Sequence, residues 1–265
     1  MEIPFYKYQG TGNDFVMIDN RGKRLVNPEN TELIRLMCDR KFGIGADGLI
    51  LLQDLEGYDF EMIYFNADGR TSSMCGNGGR CIAAFANYLG VVKNDCFFMA
   101  IDGEHDAKIK GDYVELKMSD VNNIEIGDDY FLLDTGSPHY VVFVEDLDDI
   151  NVVDLGQMIR YKERFKKEGI NVNFVEKGTD KLLIGTYERG VEDETLSCGT
   201  GVTAAALSFA VNNSKTTDNQ VNIQSKGGDL TVSFQKVSDR HFTDIWLGGK
   251  AQQVFSGVFG ATTKI

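Results

Sequence analysis

Residues 73–80 read SMCGNGGR, and residues 197–203 read SCGTGVT. Each stretch places one cysteine, Cys75 or Cys198, directly before a Gly-x-Gly. An alanine-rich apolar run follows each one, CIAAFANYLG from Cys81 and VTAAALSFAVNN from Val202. Both runs are apolar nearly all round, and a helix of that kind is buried on every side. Gly90 closes the first, and Asn212 or Asn213 closes the second. The cysteines stand at 75 and 198, a separation of 123 residues.

Other stretches recur at a similar separation. Thr11-Gly12-Asn13 precedes FVMID, and Thr135-Gly136-Ser137, 124 residues on, precedes YVVFVED. Gly43-Ile44-Gly45 has an echo 126 residues on in Gly169-Ile170-Asn171. EMIYFNADG leads into the first cysteine motif and LLIGTYERG into the second. Four elements in one order point to two similar halves joined near residue 119. Around the cysteine helices each half reads mostly as short strands. FVMID, LILLQD, FEMIYF, FFMAID, AKIKG and YVELKM serve the first half; YVVFVED, NVNFVE, LLIGTYE, NIQSKG, LTVSFQ and DIWLGG serve the second. Further helices are expected in NPENTELIRLMCDR, with Asn27 as cap and Pro28 in the first turn, and in LGQMIRYKERFKKE. The fold expected is α+β, with two pseudo-symmetric lobes, each a curled, mostly antiparallel sheet around a buried central helix. The lobes are placed at 1–119 and 120–253, with a cleft between them.

Composition narrows the function. The chain has 265 residues, 42% hydrophobic and 25% charged, which suits two globular domains with real cores. A formal net charge of -13 argues against nucleic acid or an anionic membrane as partner. The start, MEIPFYKYQG, carries no secretory signal pattern, and no apolar run nears the ~18 residues of a membrane span. The five cysteines are an odd count with no C-x-x-C, so reduced thiols in a cytoplasm-like compartment are expected, without a common zinc site. Cys38, Cys81 and Cys96 read as small buried hydrophobes.

Cys75 and Cys198 read differently. The first N–H groups of a helix lack internal partners and carry partial positive charge, so a helix start holds an anion well. The same field favours thiolate. Gly76, Gly78, Gly199 and Gly201 are expected to let the backbone turn tightly and approach a ligand. One such start offers a base beside a carboxylate cradle. Two, facing each other across a cleft, would put a sulfur on each side of one α-carbon, which is what inversion by two bases requires. Three other readings stay open here: a phosphate-holding loop, although the P-loop lysine is missing; a Cys-His hydrolase using His139; and a two-lobed binding protein without catalysis.

The combination of GTGNDF (Gly10 to Phe15), FGIGADG (Phe42 to Gly48), YFNADGR (Tyr64 to Arg70), MCGNGGRC (Met74 to Cys81), GSPH (Gly136 to His139), YERG (Tyr187 to Gly190) and ETLSCGTG (Glu194 to Gly201) resembles the diaminopimelate epimerase family. The resemblance spans most of the chain. It implies a cofactor-independent, cytoplasmic isomerase that interconverts LL- and meso-diaminopimelate for lysine and peptidoglycan precursors, typically as a homodimer and with no metal. It also implies that the C-terminal tail, 254–265, returns to the first lobe. By position it makes Cys75 and Cys198 the acid–base pair, with His139 and Glu188 tuning them. Gly76, Asn77, Gly199 and Thr200 would present N–H groups to the reacting carboxylate. Asn13, Asn66, Asn171 and Arg189 would hold the substrate, Arg189 gripping the distal carboxylate and Glu188 the ammonium. The family often has Asn where Ser137 stands, and some members have Gln where Gly48 stands; both are substrate-contact positions. A related proline or hydroxyproline racemase is the runner-up.

Overall fold

Asn77 through Ala86 are all buried, as are Gly201 through Ser208. A helix buried all round needs small side chains wherever strands close on it, which is what the alanines and glycines of both segments provide. The computed structural model describes residues 2–72, 74–213 and 219–260. In chain order it begins β1 (Glu2–Gly10), β2 (Asn13–Asp19), α1 (Thr31–Cys38), β3 (Gly48–Gln53), β4 (Phe60–Asn66), α2 (Gly76–Tyr88), β5 (Asp95–Ala100), β6 (Gly103–Lys110) and β7 (Tyr113–Lys117). It continues β8 (Glu125–Ile126), β9 (Phe131–Asp134), β10 (Pro138–Val144), α3 (Val152–Arg160), β11 (Asn171–Lys177), β12 (Leu182–Glu188), β13 (Asp193–Thr195), α4 (Gly199–Asn212), β14 (Gln220–Ser225), β15 (Gly228–Ser238), β16 (His241–Lys250) and β17 (Gln252–Gly260). Two units form, Met1–Leu116 with Lys250–Ile265, and Lys117–Gly249.

Both units use one pairing scheme. In the first, β1–β2 is antiparallel, β2–β3 parallel, β3–β4 antiparallel, β4–β5 parallel, and β5–β6 and β6–β7 antiparallel. In the second, β9–β10, β10–β11, β11–β12, β12–β14, β14–β15 and β15–β16 follow the same sequence of senses. The parallel steps need crossovers; α1 and α2 supply them in the first unit, α3 and α4 in the second. The sheet wraps the central helix in both. In the first unit α2 packs on β1, β2, β3, β6 and β17; in the second α4 packs on β9, β10, β11, β12, β14 and β15. The strand β17 returns to pair antiparallel with β1 over Glu2–Gln9. Strands covered on both faces read as continuous apolar runs. Every residue of GLILLQ in β3 is buried, with Leu49 and Leu51 packing in the α1 cluster, and Ile50 lies against Gly78 of α2.

Register fixes which residues are equivalent. Phe15 on β2 faces Gly48 on β3, and His139 on β10 faces Asn171 on β11. Gly48 faces Asn66, and Val172, just after Asn171, faces Tyr187, just before Glu188. Phe15 thus corresponds to His139, Gly48 to Asn171 and Asn66 to Glu188.

Several expectations are corrected. The left-handed residue before β3 is Gly45, φ 82°, and before β11 it is Gly169, φ 77°; these are the matching pair, so the Gly-Ile echo is displaced from the true equivalence. Asn30, not Asn27, caps α1, its side chain accepting from the Leu33 N–H. Asn27 instead closes a turn with its carbonyl and side chain, leaving Pro28 outside the helix. Helix α3 starts earlier than read, at an Asn151 cap, and ends at Arg160. The segment YKERFKKE is drawn into successive turns that close on left-handed Gly169. The glycines of the two cysteine motifs make no tight turn, because all four lie inside helices. Strands β1, β8, β9, β13 and β17 were not read from the sequence. The tail expectation reaches 261–265, which lies outside the described residues.

Candidate active site

Cys75 is the N-cap of α2, and Cys198 is the N-cap of α4. Both have extended backbones (φ -107°, ψ 129°; φ -116°, ψ 110°), and neither makes a side-chain cap bond. Neither helix carries an acidic residue in its first turn. The positive end of each dipole is therefore not compensated from within the helix, as suits a bound carboxylate. The helices begin their ladders at Gly79 N–H to Cys75 O, 2.8 Å, and Val202 N–H to Cys198 O, 2.9 Å. The N–H groups before them have no carbonyl inside the helix to bond to.

Around Cys75, the thiol donates to Asn13 Oδ1 at 3.5 Å, and Asn77 Nδ2 donates to the same oxygen at 3.4 Å. Asn13 is held in that orientation because its Nδ2 donates to the Asp47 carboxylate at 2.7 Å. Asp47 and Asp14 share Arg40, at 2.8 and 2.7 Å, and buried Lys7 pairs with Asp14 at 2.6 Å. This charge network draws the Asp14 carboxyl down to about 2 against the effect of its burial. Asn77 Oδ1 accepts from Thr11 Oγ1 at 3.2 Å and from Arg80 Nη2 at 2.8 Å. Asn66, at the end of β4, is exposed and lies outside this bonded group.

Around Cys198, Thr200 Oγ1 lies 3.4 Å from the sulfur, and Thr135 Oγ1 donates to the Thr200 carbonyl at 2.8 Å. Gly201 is required by close approach: a Cβ there would stand 2.4 Å from Asn173 Oδ1. Asn173 Nδ2 donates to the Tyr140 carbonyl at 3.1 Å, which fixes the amide's orientation, and it lies 3.0 Å from His139 Nδ1. Nδ1 must therefore accept, so the proton sits on Nε2. Nε2 has no partner among the described residues. His139 is fully buried, and burial, aided by the Arg189 charge, pushes it down to about 3. A neutral imidazole with Nε2–H is a donor, not the base a Cys-His hydrolase needs. Burial pushes the Glu188 carboxyl up.

A second group lies at the ends of β11 and β12. Asn171 Nδ2 donates to Ser137 Oγ at 2.9 Å and to the Pro138 carbonyl at 3.1 Å, while its Oδ1 accepts from the Arg189 N–H at 2.9 Å. Arg189 Nη2 donates to Ser137 Oγ at 3.3 Å and Nη1 to the Glu168 carbonyl at 2.9 Å. Gly169 is needed here for its positive φ and because a Cβ would meet Arg189 Cδ at 2.5 Å. A cavity of ≈ 710 Å³ in this unit is lined by Gly136, Pro138, His139, Glu168 and Gly169, among others.

The structure thus gathers Asn13, Gly76 and Asn77 at Cys75, places Gly199 and Thr200 at Cys198, and joins Ser137, Asn171 and Arg189. Sequence reading missed Thr11, Asp47, Arg80, Thr135 and Asn173. The Thr11–Thr135 recurrence was a usable signal, since both threonines bond the second residue after their unit's cysteine. Burial pushes Cys38, Cys81 and Cys96 up to about 12, which leaves them inert at neutral pH. Among the described residues, no group of three or more His, Cys, Asp or Glu could hold a metal, and no helix is long and apolar enough to cross a membrane.

Two wrapped helices with paired chain order define a class by fold. A phenazine biosynthesis protein from Bacillus anthracis superposes with TM-score 0.75 at 15% identity, covering 98% of this chain and 100% of its own. A probable proline racemase from Agrobacterium radiobacter does so with TM-score 0.66 at 16% identity, covering 99% and 93%. At such identities these likenesses establish the fold alone. Sequence goes further. The model of the family described as "Diaminopimelate epimerase" matches residues 5–124 and 131–252. The curated diaminopimelate epimerase of Flavobacterium psychrophilum is 50% identical over 96% of this chain and 98% of its own; that of Chlorobaculum tepidum is 43% identical over 94% and 98%. The chain belongs to the diaminopimelate epimerase family, and is an isomerase.

Proposed function

We propose that this chain interconverts LL- and meso-diaminopimelate, with Cys75 and Cys198 as its two acid–base groups. One observation carries the reading: each unit of a duplicated frame presents a single thiol as the N-cap of a buried helix with no competing cap or acid. The reaction asks for one sulfur on each face of a single α-carbon. One sulfur, as thiolate, takes the α-proton. Negative charge then develops on the substrate carboxylate, where N–H groups of Gly76, Asn77, Gly199 and Thr200 stabilise it. The other thiol delivers its proton to the opposite face and becomes the thiolate for the reverse turn. No cofactor takes part in these steps. His139 and Glu188 tune the cysteine pair, while Asn13, Asn66, Asn171, Glu188 and Arg189 hold the substrate, with Ser137 at the distal end. The same reading makes the enzyme a cytoplasmic homodimer serving lysine and peptidoglycan precursors.

Incubation in D2O with LL-diaminopimelate, proline or hydroxyproline tests this. Epimerisation of diaminopimelate with one deuterium appearing at Cα is expected. Turnover of proline in its place would transfer the chain to the runner-up.

A further inference from the structure

Arg80 is the one charged side chain on α2 that is wholly removed from water, at 0% exposure. Its bonds go to neutral groups: Nη1 to the Gly76 carbonyl at 3.3 Å, and Nη2 to Asn77 Oδ1 at 2.8 Å and Thr11 Oγ1 at 3.3 Å. Nε has no partner, and among the described residues no carboxylate lies within ion-pairing distance of it. An uncompensated buried cation is costly, and proteins ordinarily pair one. The groups whose charge acts on Arg80 are Cys81 and Cys75 on its own helix and Tyr113 on β7, each opposing the downward push of burial. Burial has pushed Cys81 up to about 12. Cys75 caps the same helix and directly precedes Gly76, whose carbonyl Arg80 binds, so its sulfur is the group placed to compensate that charge. Two groups reach it from β2 and the loop before β3: Asn13 Oδ1, which accepts from the thiol, and Asp47 behind Asn13. Both favour the protonated form, but an S–H donor is weak and Asp47 is neutralised by Arg40. In the second unit the residue five positions past the cysteine is Thr203, equally buried, whose hydroxyl donates to the Gly199 carbonyl at 3.0 Å. It repeats the bond Arg80 makes to Gly76 and omits the charge.

We propose that Arg80 is a positioning residue for Cys75: it locks Asn77 and the helix start, and its unpaired charge holds the Cys75 sulfur as the resting thiolate. The thiol proton leaves to solvent. The role in turnover rests on the two-thiol reading above; the thiolate itself does not. The test is the pH dependence of iodoacetamide alkylation in the full chain without substrate, with Cys75 assigned by peptide mass mapping. The native Cys75 midpoint is expected below the ordinary ~8.5. Arg80→Gln is expected to raise it by about one unit or more, slowing labelling about tenfold below both midpoints, while Arg80→Lys stays near native. A native midpoint at or above ~8.5, or a folded Arg80→Gln protein with an unchanged midpoint, overturns the proposal. Should Arg80→Gln fail to fold, Arg80→Lys decides: a midpoint that rises by a unit despite the retained charge overturns it. An Arg80-dependent thiolate in a chain inactive on diaminopimelate would sink the functional reading and leave this one standing.

Discussion

The starts of α2 and α4 share a frame and differ in charge. In both, a cysteine caps a buried helix, a threonine from the loop 124 residues apart bonds the second helical residue, and the fifth residue past the cysteine bonds the first carbonyl. Yet Arg80 stands where Thr203 stands, Phe15 where His139 stands, Ala67 where Arg189 stands, and Asn13 where Ser137 stands. The first unit therefore surrounds its thiol with a buried cation and amides. The second sets a threonine hydroxyl beside its thiol, buries a neutral imidazole against Asn173, and carries the exposed Arg189 fork. On the proposed reading, duplication supplies two equivalent acid–base positions, and divergence around them sets a different charge beside each thiol and leaves recognition of the distal group to one side.

The largest expected effect tests the equivalence itself. Cys75→Ala and Cys198→Ala should each lower epimerisation at least about 1000-fold, the scale of one acid–base group. Either protein retaining native epimerase activity would break the symmetric half of the comparison. Next comes the asymmetry at the distal end. Arg189→Lys keeps the charge but loses the fork that reaches Ser137 and Glu168, and should cost about 10- to 100-fold in kcat/KM on diaminopimelate. Unchanged kinetics would remove Arg189 from recognition.

His139 supplies a pH signature that Phe15 cannot. Its folded pKa lies at about 3, below the unfolded 6.5. Below pH 6.5 the unfolded chain binds a proton that the folded chain does not, so stability is lost as pH falls from 6.5 toward 3. The limit for one site is about 1.4 kcal/mol per pH unit. Glu188, whose pKa burial raises, contributes with the opposite sign, its stabilisation fading as pH rises. Urea unfolding of native and His139→Gln proteins between pH 6.5 and 5 isolates the histidine, and the variant should show the flatter profile. Equal slopes would mean that His139 is not held neutral.

Smaller effects separate the two glycines. Gly201→Ala forces a Cβ to 2.4 Å from Asn173 Oδ1, an atom also held by Thr186 at 3.0 Å, and should cost about 1–2 kcal/mol. Gly78→Ala meets Ile50 Cδ1 at 3.1 Å and Met62 Cε at 3.3 Å, both at flexible ends. The helix-propensity gain of up to ~1 kcal/mol offsets that strain, so near-neutral stability is expected; urea midpoints compare them. Among the kinetic effects the smallest is Ser137→Ala, which removes the acceptor shared by Asn171 and Arg189 and should raise KM by a factor equivalent to about 0.5–1.5 kcal/mol with kcat little changed. Ser137→Asn should be tolerated. A large fall in kcat for Ser137→Ala would move Ser137 from the distal end to the reacting centre.

Both cysteine helices, the strands between them and the doubling were legible because their signals are local: an apolar run, a glycine, a recurring turn. Helix ends were less legible. Asn27 and Asn30 are both capping residues, and the choice between them depends on where the chain arrives from β2. The strand β17 pairs with β1 across more than 240 residues, and nothing in either stretch names the other.

The sequence alone determined that two thiols begin two buried helices, since cysteine, glycine and alanine in that order leave little else for the backbone to do. Tertiary structure decided what each thiol faces. Asn13 turns its oxygen to Cys75 because Asp47, 34 residues away, takes its nitrogen. His139 carries its proton on Nε2 because Asn173, 34 residues on, is turned by the Tyr140 carbonyl. Arg80 carries no assigned role in the reading of MCGNGGRC, and the fold makes it the most deeply buried charge at the site. Charge state and hydrogen-bond direction belong to groups brought together from distant parts of the chain, and burial gives those few contacts their weight.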